Sequence, residues 1–174
     1  MPRSAAPLTL LRRVAAPHLQ DLTRRVREST NLVVVVGTEA RFVRTVECGH
    51  ALRVGNRVGQ TVPADRSSGG KALLAQMPRE QIDAHCSADH ETELAGLHRQ
   101  LAQVRNRGFA INDQGTEQGV TAVGVAVPDR TDVPHAALSI SMPSVRFRRD
   151  QLAEWATELT ATAAVIGRDP EVYA

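Results

Sequence analysis

Residues 119–143 constrain the fold of this chain more than any other stretch. Two apolar segments, Gly119-Val-Thr-Ala-Val-Gly-Val-Ala-Val-Pro128 and His135-Ala-Ala-Leu-Ser-Ile-Ser-Met-Pro143, flank a polar turn. That pattern reads as a β-hairpin. Side chains of a strand alternate between its faces, so residues two apart share one. One face then carries Thr121, Val123, Val125 and Val127 with Leu138, Ile140 and Met142. The other carries Ala122, Gly124 and Ala126 with Ala137, Ser139 and Ser141. The bulky face calls for a hydrophobic layer against it. The small face leaves room for a closely packed helix backbone or for a small polar ligand, and its two hydroxyls need hydrogen-bond partners if they are buried.

A chain of 174 residues suits one domain with a real core. Its apolar runs, Leu32 to Val36 and Ala122 to Val127, are far too short to cross a membrane. The first residues lack the apolar segment of a secretion signal, so a cytoplasmic location is expected. Cys48 and Cys86 make no disulfide framework and suit a reducing compartment. A formal net charge of +2 is too weak to imply nucleic-acid binding by itself. Lys71 is the only lysine.

Helical spacing of Leu11, Val14, His18, Leu19, Leu22 and Val26 predicts an amphipathic helix over about 9–28, kinked or restarted at Pro17. The arginines of this stretch lie mostly off the apolar stripe and read as a solvated face. Leu32 to Gly37 reads as a buried strand, residues 40–48 as a second and 52–58 as a third. A loop from Gly59 turns into a short helix near Ser68, and a second short helix is expected over 79–86. Leu94, Leu97, Leu101 and Val104 mark a further helix closed by Gly108. A short strand at 109–112 precedes the hairpin, and Leu152 to Ile166 marks a last helix. Helix, strands, helices, strands, helix is the order of an antiparallel sheet with helices packed around it.

Ser67-Ser-Gly-Gly-Lys opens a helix, where backbone N–H groups can meet an anion or a serine can simply cap the first turn. It is not a P-loop, because Ala72 follows Lys71 where Ser or Thr is required. His85, Cys86, His90, Glu91 and His98 gather metal-ligand types, but His85 and His90 miss the i, i+4 spacing, and a polar loop is the plainer reading. No metal or cofactor is therefore expected. No catalytic residue is assigned either, since Ser139 and Ser141 lack a nucleophile elbow. The cysteines read as apolar fillers. Arg146, Arg148 and Arg149 read as a solvated flank of the last helix.

Taken in order, the pieces form a larger pattern. An amphipathic helix leads to Leu-Val-Val-Val-Val, then Val58-Gly-x-x-Val-Pro63, Ser67-Ser-Gly-Gly-Lys-Ala-Leu-Leu-Ala75 and Val104-Arg-Asn-Arg-Gly-Phe-Ala-Ile-Asn-Asp113, and finally the hairpin. This ordered set, from about Leu11 to Gly167, resembles the C-terminal effector-binding domain of the IclR family of bacterial transcriptional regulators. The resemblance implies an α+β, GAF-like fold with a curved antiparallel sheet and flanking helices. It also implies a pocket for a small organic or aromatic acid. By the same resemblance Ser67, Ser68, Gly69 and Gly70 lie over that pocket, while Asn112, Ala122, Ser139 and Ser141 line its floor. Asn112 and the two serines would then donate to a carboxylate.

The chain departs from the family pattern at Ala64 and Asp65, where Pro-Leu-His is usual, and at Asn112, Gln114 and Gly115, where acidic residues are common. The domain is expected to span 11–174, with 1–10 disordered or a linker remnant. Too few residues precede the first helix for a helix-turn-helix, so DNA contact is expected only through a module absent from this chain. The partners expected are a small organic anion and further copies, as a homodimer or homotetramer. A free-standing GAF-like enzyme, dependent on Cys48 or Cys86, and a ligand-free dimerisation module are the alternatives.

Overall fold

The computed structural model describes residues 5–86, 91–129 and 135–173. Six strands form one antiparallel, curled sheet: β1 (Ser29–Val36), β2 (Glu39–Val46), β3 (Thr61–Pro63), β4 (Ala110–Asp113), β5 (Val120–Ala126) and β6 (Ala136–Pro143), in the order β3-β2-β1-β6-β5-β4. The helices are α1 (Ala5–Val26), α2 (Ser68–Leu74), α3 (Arg79–Ile82), α4 (Glu91–Arg107) and α5 (Leu152–Arg168). The fold class is α+β, as expected.

The two faces of the hairpin sort as alternation requires. Register pairs Ala122 with Ser141, Gly124 with Ser139 and Ala126 with Ala137. Val123, Val125, Val127, Leu138, Ile140 and Met142 form one core with Leu11, Leu19 and Leu22 of α1 and Trp155, Leu159 and Ile166 of α5. Phe147 stacks tilted on Trp155, with ring centroids 5.7 Å apart. A second core on the opposite face joins Val33, Ala40 and Phe42 to Leu74 of α2 and Leu97, Leu101 and Val104 of α4. A β-bulge between Leu32 and Val33 shifts the β1–β2 register. Neighbouring Phe42 and Val43 serve opposite cores, as strand alternation requires.

Several elements differ from their sequence expectations. Residues 52–58 are not a strand. The edge of β2 is taken by β3, through Glu39–Pro63, Ala40–Val62 and Arg41–Thr61. Leu52 and Val58 are exposed, and only Val54 is buried. α1 continues through Pro17 without a break, with Pro17 on its exposed side, and it begins at Ala5, inside the stretch read as linker. The helix expected over 79–86 is one turn of α3 followed by a 3-10 turn, Asp83–His85. Arg146 is only partly exposed. It forms a two-pronged ion pair with buried Glu28, at 2.6 and 3.0 Å, tying the turn after β6 to the start of β1.

Candidate functional site

The small face is built by register. One row across the sheet reads Thr45, Asn31, Ser139, Gly124, and a neighbouring row reads Asn112, Ala122, Ser141. α2 lies directly on this face. Gly124 lets it come so close that a Cβ there would sit 2.7 Å from the Ser68 carbonyl carbon and 2.8 Å from the Gly69 nitrogen. A helix backbone therefore packs on Gly124, one of the two sequence readings of the face, and a small hollow opens beside it.

That hollow is lined by Ser67, Ser68, Gly69, Asn112, Ala122, Ser139 and Ser141, together with Val33, Phe42, Arg57, Val62, Thr116 and Val120. Seven of the eight effector positions named from sequence thus meet around one space. Gly70 lies outside the lining. It abuts the Ala64 carbonyl, and its N–H donates to Ser67 Oγ at 2.8 Å, making Ser67 the N-cap of α2. The space is about 20 Å³, room for roughly one water molecule.

The polar groups around it are arranged by a residue that sequence reasoning passed over. Asn31, fully buried, donates from Nδ2 to Ser139 Oγ at 3.2 Å and to Ser141 Oγ at 3.1 Å, and its Oδ1 accepts from Thr45 Oγ1 at 2.9 Å. Because both serine oxygens accept from Asn31, each hydroxyl proton is left to donate elsewhere. The signal for Asn31 was present as alternation, since it shares a strand face with Val33 and Val35. Asn112 is occupied differently from expectation. Its Oδ1 accepts from the Gly115 N–H at 3.1 Å and its Nδ2 donates to Thr116 Oγ1 at 3.1 Å, so it holds the loop between β4 and β5. Lys71 donates to the Ile111 carbonyl at 2.7 Å, joining α2 to β4. Burial, helped by nearby Arg107 and opposed by Asp65, pulls its pKa below the ordinary lysine value.

A larger, open groove of about 630 Å³ runs between the end of α1 and the end of β2, past Thr23, Arg27, Cys48 and His50. Of its charged side chains, Arg24 and Glu47 are paired with Asp21 and Arg53 while Arg27 makes no ion pair among the described residues, and none of the effector positions named from sequence faces it. The metal-ligand types are spread among other partners: His85 Nδ1 meets the Gly37 carbonyl at 2.6 Å and His98 Nε2 meets Asp83 at 3.0 Å. His90 lies outside the described residues. Among the described residues no group of three or more such side chains converges. Neither cysteine lines the hollow. Burial, with Asp65 and Asp83 nearby, pushes the Cys86 thiol up to about 11.

A known family has this fold. The family model for the C-terminal domain of the bacterial transcriptional regulator IclR matches residues 6–168. The chain belongs to the IclR family. It is 30% identical over 152 residues to the transcriptional repressor IclR of Escherichia coli, covering 82% of this chain and 56% of the repressor. Among solved structures, the IclR protein of Thermotoga maritima superposes with a TM-score of 0.81 at 26% identity, over 91% of this chain and 67% of that one. An IclR homologue from Microbacterium hydrocarbonoxydans, solved in complex with 4-hydroxybenzoate, superposes with a TM-score of 0.76 at 28% identity, over 92% of this chain and 69% of that one. The chain spans little more than half the length of the curated relatives just named and of the acetate operon repressor of Salmonella typhimurium. These IclR relatives are transcriptional regulators and repressors, not enzymes. No helix among the described residues is long and apolar enough to cross a membrane.

Proposed function

We propose that this domain is the effector sensor of an IclR-type regulator and binds a small organic anion, aliphatic or aromatic, in the hollow between α2 and the small face of the sheet. The observation that carries this reading is the Asn31 arrangement. A buried amide donates to the oxygens of Ser139 and Ser141 from the sheet side, so their two hydroxyl protons are left for an acceptor in the hollow. Ser68 adds a third hydroxyl at the roof, and Val33, Phe42, Val62 and Val120 supply apolar walls for the body of an acid. At about 20 Å³ the hollow is too small for such a ligand, so binding requires its roof or rim to move outward. The 4-hydroxybenzoate complex of the Microbacterium homologue supports an acid of that size as one candidate class.

In this reading the domain works in the cytoplasm as a homodimer or homotetramer, and DNA is contacted through a helix-turn-helix module outside this chain. The present closure of the hollow favours one other reading, a dimerisation module that binds nothing. Thermal-shift titration with 4-hydroxybenzoate, benzoate and pyruvate separates the two. A ligand raises the melting temperature with its concentration, and replacing Ser139 and Ser141 together by alanine removes the response. A double variant that responds like the parent places the site elsewhere, and no response to any acid favours the dimerisation module.

A further inference from the structure

Arg57 is the one formally charged residue among those lining the hollow. It comes from the segment between β2 and β3 that the sequence suggested as a strand. Its backbone N–H is held by Thr45 Oγ1 at 3.1 Å, the same hydroxyl that donates to Asn31. Its guanidinium carbon lies 5.6 Å from the centroid of the Phe42 ring. Its side chain is 12% exposed, yet its partner is on the surface: Nη2 donates to Glu117 Oε2 at 2.8 Å, and Glu117 is 60% exposed. This is a single-pronged contact. The other guanidinium N–H groups have no protein acceptor among the described residues, although the planar fork is suited to a two-pronged bond with a carboxylate.

Glu117 sits on the loop between β4 and β5, which Asn112 anchors through Gly115 and Thr116. The Arg57–Glu117 pair therefore bridges two loops beside a hollow that is nearly closed. A guanidinium held away from water needs an anionic partner. A ligand carboxylate that replaces Glu117 keeps that requirement met, adds a second hydrogen bond and returns Glu117 to solvent. The exchange is charge-neutral at the site, whereas an uncharged ligand would leave Arg57 without a counter-ion if it displaced Glu117.

We infer that Arg57 is the charge-recognition residue of this pocket, and that Glu117 occupies it as a stand-in carboxylate until a monoanionic effector takes its place. This rests on the reading of the hollow as an effector pocket. Displacement releases the Glu117 side chain from Arg57, so occupancy of the pocket is reported at the surface by residues 114–119.

The test uses isotope-labelled full chain and follows backbone amide shifts during titration with benzoate, 4-hydroxybenzoate and pyruvate, with benzamide as the uncharged counterpart of benzoate. In the parent, a carboxylate shifts amides of both the hollow and residues 114–119. E117Q removes the competitor and tightens carboxylate binding about two- to fivefold, the range of one partly exposed ion pair. R57Q weakens it about tenfold or more, and R57K retains the preference for benzoate over benzamide at reduced affinity, which also covers the case in which R57Q fails to fold. Equal affinity of the parent and E117Q overturns the displacement. Undiminished carboxylate binding by R57Q, with binding lost in the Ser139→Ala, Ser141→Ala double variant, leaves the pocket standing and overturns the role of Arg57. If no carboxylate shifts any amide of the hollow in the parent or in E117Q, the pocket reading falls and this inference with it.

Discussion

Replacing Gly124 by alanine tests the close approach that divides the small face into a packed part and a hollow part. An added Cβ would stand 2.7 Å from the Ser68 carbonyl carbon, 2.8 Å from the Gly69 nitrogen and 2.8 Å from the Ser68 oxygen. All three are backbone atoms, so no side-chain rotation relieves the overlap. Strand β5 and the start of α2 must separate by about 0.7–1 Å to reach ordinary contact, in an interior that is close-packed. Overpacking of this kind costs about 1–3 kcal/mol. Alanine's smaller conformational freedom in the unfolded chain offsets about 0.5–1 kcal/mol. The net loss is centred on about 1 kcal/mol and is at most about 2.5 kcal/mol, a fall in melting temperature of roughly 2–4 °C and at most about 10 °C for a domain of this size. Equilibrium urea unfolding followed by far-ultraviolet circular dichroism measures it, with Gly69→Ala as the control. At Gly69 the atoms nearest the added carbon belong to the Val33 side chain, at 3.2–3.4 Å, a looser approach than the one at Gly124. Gly124→Ala unfolding at or above the parent's midpoint, or Gly69→Ala proving the more damaging of the two, would refute the packing argument.

Three further outcomes are expected. Asn31→Ala deprives Ser139, Ser141 and Thr45 of their shared buried partner, and urea unfolding should show a loss of about 2–4 kcal/mol; a loss below about 1 kcal/mol would mean that the amide does not organise the floor. Arg146→Met strands the buried Glu28 carboxylate and should cost about 2–3 kcal/mol, toward the low end because Arg146 is partly exposed. Adding Glu28→Gln should recover part of that loss, and a double-mutant cycle with no coupling would contradict it. The Cys86 thiol, raised from 9.0 to about 11, stays protonated in the folded chain where the unfolded chain ionises, so its contribution to stability is present below pH 9 and is lost as pH rises toward 11. In a Cys48→Ser background its reaction with a disulfide reagent at pH 8 should run about a hundredfold slower folded than unfolded; rates within a few-fold of each other would refute the shift.

What the sequence determined by itself is what short-range geometry controls. Alternation placed Val123, Ile140 and Met142 opposite Gly124, Ser139 and Ser141, because a strand's backbone sends successive side chains to opposite faces wherever the strand ends up. The long helices α1, α4 and α5 followed from apolar spacing in the same way, and the ordered motifs carried the family. Alternation failed at 52–58, where Leu52, Val54 and Val58 looked like a strand. A strand also needs an edge to pair with, and three residues of β3 hold the edge of β2. The tertiary structure alone decided the chemistry of the hollow. It brought Asn31 to Ser139 and Ser141 across 108 and 110 positions of chain, Arg57 to Glu117 across 60, and Arg146 to Glu28 across 118. Which donor meets which acceptor over such separations depends on strand order and register, and neither leaves a local mark in the residues themselves.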